Sequence, residues 1–152
     1  MKSNDENPLV SIIILNYNAG KLIEECLNSI FHSNYKNFEI IVVDNNSKDD
    51  SHIECKKKFP SINLIENKEN LGYCEGNNVG IRVANGKFVI VLNPDTIVEP
   101  NWINELLQGY EKFGDGIYQP KFLTIDNESI LQSTGNMIQL FCFWYSRNKG
   151  EE

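Results

Sequence analysis

Apolar residues lie in four short runs along the chain, and polar stretches separate the runs. The runs cover residues 9–15, 38–43, 62–65 and 88–92. Each run is rich in β-branched or aliphatic side chains and is shorter than a typical helix. Each therefore predicts a buried strand.

The segments between these runs show helical periodicity. In the first, apolar residues recur every three or four positions from Leu22 to Phe31. The other predicted helices cover residues 47–59, 73–84 and 100–113. We expect Asn18 to cap the first helix, and Ser47, with Asp50 three positions later, to cap the second.

Strands that alternate with helices in this way predict parallel βαβ units with right-handed crossovers. The expected fold class is therefore α/β, with a mostly parallel sheet flanked by helices. From residue 117 onward the pattern changes, and residues 118–125 and 137–145 predict further strands. We expect a polar tail at residues 1–8, an α/β domain at 9–115 and an incomplete β segment at 116–152.

Composition and charge exclude some classes of protein. The 152 residues are 41% apolar, as in ordinary globular domains, and their net charge is −7. We expect no nucleic-acid partner, because a general nucleic-acid binder needs a basic face to neutralise phosphates. A nucleotide ligand is not excluded, because a bound cation and backbone N–H groups can balance its phosphate charge.

Two segments bear on the location of the protein. Residues 1–8 are polar and lack the apolar core of a secretory signal. The longest apolar stretch, residues 138–145, is too short to span a bilayer. We therefore expect a cytoplasmic protein.

The cysteines and histidines show no metal-site or catalytic spacing. The four cysteines form no CxxC pair, and we expect each to be a small buried apolar side chain: Cys26, Cys55, Cys74 and Cys142. We expect His32 and His52 to be ordinary surface or helix-end residues.

Polar side chains follow three of the predicted strands. They are Asn16, Tyr17 and Asn18 after the first strand, residues 44–47 (Asp44, Asn45, Asn46 and Ser47) after the second, and Asn93 and Asp95 after the fourth. Because the carboxyl ends of parallel strands share one edge of a sheet, we expect these groups to lie close together. Amides and carboxylates there can bind a base edge and ribose hydroxyls, and the Tyr17 ring can pack against a base.

The same residue types are also the commonest turn and cap residues. Asp44 can be a simple turn acid, Asn46 or Ser47 a helix cap, and Asp95 an acid near a helix start with no ligand. The convergence of three turns on one edge favours a binding site.

Asp95 is the strongest candidate for a metal ligand. It follows Pro94, whose ring restrains the backbone and so directs the carboxylate. A Mg²⁺ or Mn²⁺ ion that bridges a diphosphate needs only one or two protein carboxylates, because phosphate oxygens and water complete its coordination shell.

Residues 69–86 are rich in glycine and asparagine but lack both GxGxxG and GxxxxGK. Gly72 permits close approach of the backbone to a ligand, and Asn77 or Asn78 can line the pocket from the start of a helix. For Gly80 we favour a packing role, in which the missing side chain lets the helix approach the sheet.

The motifs together resemble the nucleotide-binding half of the family 2 glycosyltransferases, which have the GT-A fold. The matching stretches are VSIIILNYNAG, FEIIVVDNNSKDDS, ENLGYCEGNNVGI and VIVLNPDT. The NPD turn is most similar to the bacterial rhamnosyltransferase-like branch. The resemblance implies transfer of a sugar from a nucleotide diphosphate donor, a dTDP- or UDP-sugar, assisted by Mg²⁺ or Mn²⁺. The implied acceptor is a glycan or lipid-linked molecule, which implies work on cell-envelope polysaccharide at the inner face of the membrane, with peripheral membrane association.

The resemblance also implies roles for individual residues. Donor-nucleotide contacts fall on Asn16, Tyr17, Asn18, Asp44, Asn46 and Ser47, with Asp44 as the acid that reads the base. The nucleotide and sugar pocket is lined at Asn70, Gly72 and Asn77. Asn93 and Asp95 match the family's DxD metal motif, in which Asn93 replaces the first acid and can bind the ribose instead.

No residue matches the catalytic base of the family, an acid often found in a Glu-Asp pair before a helix. The remaining C-terminal acids lack that context: Asp126, Glu128, Glu151 and Glu152. We therefore expect an amino-terminal fragment or a naturally shortened protein that binds the donor. A non-catalytic nucleotide-sugar-binding or protein-interaction module of the same fold is the alternative, with the apolar segment at residues 140–145 as its partner surface.

Overall fold

The computed structural model describes residues 7–123, 131–133, 136–138 and 144–146. The chain divides into two compact units, residues 1–101 and 102–152. The first unit contains every site residue predicted above.

Four parallel strands form the sheet of the first unit. They are β1 (Val10–Asn16), β2 (Phe38–Asp44), β3 (Asn63–Glu66) and β4 (Phe88–Leu92). Their spatial order is β3-β2-β1-β4, and each neighbouring pair is parallel. The predicted α/β class, a parallel sheet flanked by helices, is confirmed.

Three helices connect these strands: α1 (Leu22–Phe31), α2 (Ser51–Lys58) and α3 (Gly72–Ile81). α3 packs against β1 and β2, and α1 contacts α2. Among the helices that the structure describes, none is long and apolar enough to cross a membrane.

One part of the core lies between the central strands and α3. Ile13, Ile41 and Val43 are fully buried there. The predicted packing role of Gly80 is confirmed, because a Cβ atom at this position would lie 2.6 Å from Cγ2 of Ile13. The absent side chain allows α3 to lie close to the sheet.

The second unit begins with α4 (Trp102–Phe113). Two short antiparallel pairs follow, β5 (Phe122–Leu123) with β6 (Leu131–Ser133), and β7 (Asn136–Ile138) with β8 (Trp144–Ser146).

Several predicted boundaries in the first unit are wrong. α2 begins at Ser51, not near Ser47, because the Ser47 side chain bonds to Asp44 instead of capping a helix. Asn18 does not cap α1, whose N-cap residue is Lys21. α3 ends at Ile81, three residues before the predicted end.

The expected burial also differs at some positions. β4 is an edge strand of the described sheet, and Val89 and Val91 are 43% and 42% exposed. Cys26 and Cys55 are buried as predicted, whereas Cys74 is exposed because it lies in the first turn of α3. Cys142 lies outside the described residues.

The predicted C-terminal strands are only partly observed. Within residues 118–125, the strand is limited to Phe122–Leu123, and residues 124 and 125 lie outside the described residues. The single strand predicted at 137–145 is wrong, because β7 and β8 are two paired strands. Of the apolar segment 140–145, only the backbone of Trp144 and Tyr145 is described.

Candidate functional site

The polar side chains predicted to meet lie at the carboxyl edge of the sheet. The strand register places Asn16 beside Asp44, and Asp44 beside Glu66. β1 and β4 run in register up to Ile14 and Leu92, so the turn that holds Asn93 and Asp95 begins at the same edge.

Asp44 is the best-connected acid at this edge. It is only 2% exposed. Its Oδ1 accepts hydrogen bonds from Asn16 Nδ2 at 2.8 Å and from Ser47 Oγ at 2.6 Å. Its Oδ2 accepts one from the Ser47 backbone N–H at 2.9 Å. These hydrogen bonds fix the carboxylate. Among the described residues, no Lys or Arg side chain donates a hydrogen bond to it.

Two buried amide oxygens at the site have no hydrogen-bond partner among the described residues. They are Oδ1 of Asn16, on a fully buried side chain, and Oδ1 of Asn77, on a side chain that is 5% exposed. A buried acceptor without a donor is costly, so each favours a donor group from water or a ligand.

The turns after β1 and β2 are bonded to each other. The Asn18 backbone N–H donates to Ser47 Oγ at 3.0 Å, and the Lys48 backbone N–H donates to Asn18 Oδ1 at 2.6 Å. Asn18 and Asn46 both adopt left-handed conformations, with φ of 53° and 63°. Such conformations are uncommon except for asparagine, aspartate and glycine, so these asparagines shape the turns as well as supplying amides.

Tyr17 lies between these bonded residues and is 49% exposed. An exposed aromatic ring beside amide groups offers a flat surface on which a base can stack.

Asn45 was expected at this edge but was assigned no role of its own, and all four hydrogen bonds of its buried side-chain amide are formed. Nδ2 donates to Asn70 Oδ1 at 2.8 Å and to the Gly72 carbonyl at 3.2 Å. Oδ1 accepts from Asn67 Nδ2 at 3.1 Å and from the Leu71 backbone N–H at 3.0 Å. Asn45 thus holds the loop between β3 and α3 against the end of β2.

This loop positions two predicted site residues. Asn70 Oδ1 accepts a hydrogen bond from the Gly72 backbone N–H at 2.8 Å, at the start of α3. Gly72 has φ of 75°, a left-handed conformation that favours glycine. Asn77, one turn further, donates from Nδ2 to the Tyr73 carbonyl at 2.8 Å.

Asn93 and Asp95 are both exposed after β4. Asn93 Oδ1 accepts a hydrogen bond from the Tyr73 hydroxyl at 3.3 Å, which connects this turn to α3. No cluster of three or more metal-ligating side chains exists among the described residues. Of the described residues, the predicted donor set is the exposed carboxylate of Asp95 with the amide oxygen of Asn93, which fits a cation held mainly by phosphate and water.

His52 is a further residue to which the sequence assigned no role. It lies at a helix end, one of the two expected positions, but it is buried and not at the surface. It is 7% exposed, with Nδ1 lying 3.4 Å from Asp44 Oδ1 and Nε2 lying 3.4 Å from Glu66 Oε1. His52 lies in the first turn of α2, close to the ends of β2 and β3. His32, by contrast, follows the last turn of α1 as predicted.

A cavity of about 320 Å³ lies beside the starts of α1 and α2. Charged side chains line it, namely Lys21, Glu24, Asp49, Asp50 and Glu54. None of the predicted site residues lines this cavity.

Sequence comparison identifies similar proteins. The family model described as "Glycosyl transferase family 2" matches residues 11–151. An uncharacterized glycosyltransferase of Haemophilus influenzae is 39% identical over 108 residues, which are 69% of this chain and 33% of that protein.

Solved structures show the same fold. The mannosyltransferase PcManGT of Pyrobaculum calidifontis, in complex with GDP-Man and Mn²⁺, has a TM-score of 0.63 and 26% identity, over 68% of this chain and 32% of that one. S. aureus TarS, in complex with UDP-GlcNAc, has a TM-score of 0.62 and 23% identity, over 82% of this chain and 43% of that one. The chain thus spans about a third to under a half of the proteins it matches.

Proposed function

We propose that the first unit of this chain, which belongs to glycosyl transferase family 2, binds a nucleotide-diphosphate sugar. This molecule is the donor of the sugar that a glycosyltransferase transfers. The observation that supports the proposal most strongly is the single hydrogen-bonded edge formed by Asn16, Asp44 and Ser47. Ligands of open parallel sheets bind beyond the carboxyl ends of the strands, which is where this edge lies.

The nucleotide occupies the turns after β1 and β2. Tyr17 stacks on the base, and Asp44 accepts a hydrogen bond from a base N–H group. A hydrogen bond at Asp44 is shielded from water, because the residue is almost fully buried. Asn18, Asn46 and Ser47 contact the rest of the nucleoside.

The diphosphate and sugar lie toward α3 and β4. Asn70, Gly72 and Asn77 line this part, and the Asn77 Oδ1 atom without a partner is a ready acceptor for a hydroxyl. Asn93 contacts the ribose or offers its amide oxygen near the diphosphate.

Asp95 holds a divalent cation, Mg²⁺ or Mn²⁺, together with the donor diphosphate. A bound cation stabilises the negative charge that develops on a departing diphosphate. PcManGT was solved with Mn²⁺ and GDP-Man, which supports a metal-dependent donor site in this fold.

The finer assignments follow from the resemblance of the NPD turn. We propose a hexosyltransferase of the bacterial rhamnosyltransferase-like branch, with a dTDP- or UDP-sugar donor and a glycan or lipid-linked acceptor. The proposed setting is cell-envelope polysaccharide synthesis in the cytoplasm, at the inner face of the membrane, with peripheral membrane association. Transfer is inverting and needs a base that deprotonates the acceptor hydroxyl, and we assign no described residue to that role.

A thermal unfolding screen tests the donor site. Sugar nucleotides with uracil, thymine or guanine bases are added at millimolar concentration, each with and without Mn²⁺. A ligand at about 100 times its Kd stabilises the native state by about 2.7 kcal/mol, which raises the melting temperature by several degrees. We expect such a rise for at least one sugar nucleotide, and a larger rise with Mn²⁺. No rise with any of them contradicts it.

A further inference from the structure

His52 joins the ends of two neighbouring strands. The register pairs Asp44 of β2 with Glu66 of β3, and the His52 ring lies between their carboxylates, 3.4 Å from each. Asp44 and His52 are both buried, whereas the Glu66 side chain is 64% exposed.

The chemistry of imidazole makes this arrangement sensitive to protonation. A neutral ring has one N–H donor and one lone pair, so one ring nitrogen necessarily turns a lone pair toward a carboxylate. A protonated ring has two N–H groups and a positive charge, so it turns a donor toward each acid and attracts both. Nδ1 lies at ion-pair distance from Asp44 but makes no hydrogen bond with any described residue.

Three acidic groups of the described residues lie close to His52. They are Asp44 from β2, Glu66 from β3, and Asp49 from the loop before α2. The bond from Ser51 to Asp49 is the main cause of the lowered Asp49 pKa, and the charge of His52 contributes to it.

The Asp44 carboxylate can accept one further hydrogen bond. Its Oδ1 already accepts from Asn16 and Ser47 and faces His52. Its Oδ2 accepts one hydrogen bond from described residues, the Ser47 backbone N–H. A carboxylate oxygen has two lone pairs, so Oδ2 can accept a second N–H from a nucleotide base.

We propose that His52 is a positioning residue for base recognition, which in its protonated form holds Asp44 in place and makes donor affinity depend on pH. The inference rests on the proposed donor site. Affinity is highest where His52 is protonated and falls as the pH rises and the ring loses its proton. By linkage, donor binding and proton binding at His52 strengthen each other by the same factor.

The test measures the Kd of UDP-GlcNAc and of dTDP-glucose with Mg²⁺ by calorimetry, from about pH 6 to about pH 8, the range in which histidine changes charge. Neither probe has a group that titrates in that range. The variants are His52→Asn, which keeps one N–H donor toward Asp44, and His52→Leu, which keeps none. His32→Asn, at the exposed end of α1, is the matched control.

For wild type and His32→Asn, we expect Kd for the bound probe to rise roughly fivefold or more across this range, the lower end of typical coupling between linked sites. Calorimetry in buffers of different ionisation enthalpy should show proton uptake on binding. His52→Asn should bind with no pH dependence and no proton uptake, and His52→Leu should bind more weakly than His52→Asn at every pH. A pH profile in His52→Asn identical to that of wild type overturns the positioning role.

A second measurement, made without ligand, separates this inference from the donor site itself. The carboxyl ¹³C resonance of Asp44 is followed by NMR against pH, and it should shift together with the ring ¹⁵N resonances of His52. A shift that persists in His52→Asn shows that His52 does not act on Asp44, and this overturns the inference while the donor site stands. If the Asp44 and His52 resonances shift together but the chain binds neither probe at any pH, the donor site is overturned. The role of His52 in base recognition is then overturned as well.

Discussion

Asn16 donates a hydrogen bond from Nδ2 to Oδ1 of Asp44 at 2.8 Å, and both side chains are almost completely buried. The bond connects the last residues of β1 and β2, which lie opposite each other in the parallel register. The edge of the sheet is therefore a structural element whose polar groups depend on one another.

Removal of the Asn16 side chain tests this dependence. In Asn16→Ala, the buried Asp44 carboxylate loses a donor, so the free energy of unfolding should fall by about 1–3 kcal/mol. Urea unfolding measures the change. Tyr17→Ala is the control, because the neighbouring side chain is half exposed and should contribute much less. Equal effects of the two substitutions would contradict the assigned role of Asn16.

Asn45→Asp tests the loop between β3 and α3. The substitution keeps the shape of the side chain but replaces two donors with an oxygen that faces Asn70 Oδ1 and the Gly72 carbonyl. Loss of these buried hydrogen bonds should cost about 1–3 kcal/mol of stability. Donor affinity should also weaken, because the loop carries Asn70 and Gly72. Asn63→Asp adds the same charge at an exposed strand position and should change neither quantity appreciably.

The cysteines provide a test of burial by chemical labelling. Burial raises the pKa of the Cys26 thiol to about 12 and that of the Cys55 thiol to about 11, whereas Cys74 is exposed. Thiolates are the reactive form, so Cys26 and Cys55 should be labelled only on unfolding. In a Cys142→Ser background, one thiol should react rapidly with a disulfide reagent at neutral pH, and Cys74→Ser should abolish that reaction. Rapid labelling of Cys26 or Cys55 in the folded protein would contradict the described packing.

Asp49 gives a pH dependence with a defined sign. The hydrogen bond from the Ser51 hydroxyl is the main cause of its lowered pKa, and a bond from the Gly20 backbone N–H adds to it. A carboxyl whose pKa is lower in the folded state stabilises the protein above its unfolded pKa and loses that effect as the pH falls through the folded value.

Asp49→Asn should therefore reduce stability near neutral pH, by about 1 kcal/mol for a partly exposed group. The difference from wild type should shrink as the pH falls below about 4, the ordinary pKa of aspartate. Urea midpoints measured at several pH values check both points. A difference that grows toward acid pH would have the wrong sign.

Local sequence patterns predict most of the first unit. The strand runs and the helical periodicity place β1, β2, β4 and α1 within about one residue, because burial of one face determines both the pattern and the element. The sequence also predicts that Asn16 and Asp44 lie close together, because the carboxyl ends of parallel strands lie at the same edge of a sheet.

What the sequence does not predict depends on contacts between distant residues. Ser47 has the local pattern of a helix cap, but its hydroxyl bonds to Asp44 and Asn16, so α2 begins at Ser51. Asn45 has ordinary turn chemistry and is distinguished only by the loop some 25 residues later that surrounds it. In the sequence, His52 lacks any partner at catalytic spacing. Its partners in the structure, Asp44 and Glu66, come from the ends of the strands β2 and β3.

The proposed role of Asp95 can be tested directly by the metal dependence of donor affinity. The Kd of the sugar nucleotide that stabilises the chain most is measured with Mn²⁺ and with chelator, for wild type, Asp95→Asn and Glu99→Gln. Both substituted residues are exposed acids, so neither should change the free energy of unfolding appreciably. We expect Mn²⁺ to strengthen binding at least tenfold in wild type and Glu99→Gln, or about 1.4 kcal/mol, and to have no effect in Asp95→Asn. Equal enhancement by Mn²⁺ in Asp95→Asn and wild type would contradict the proposed metal-assisted donor site.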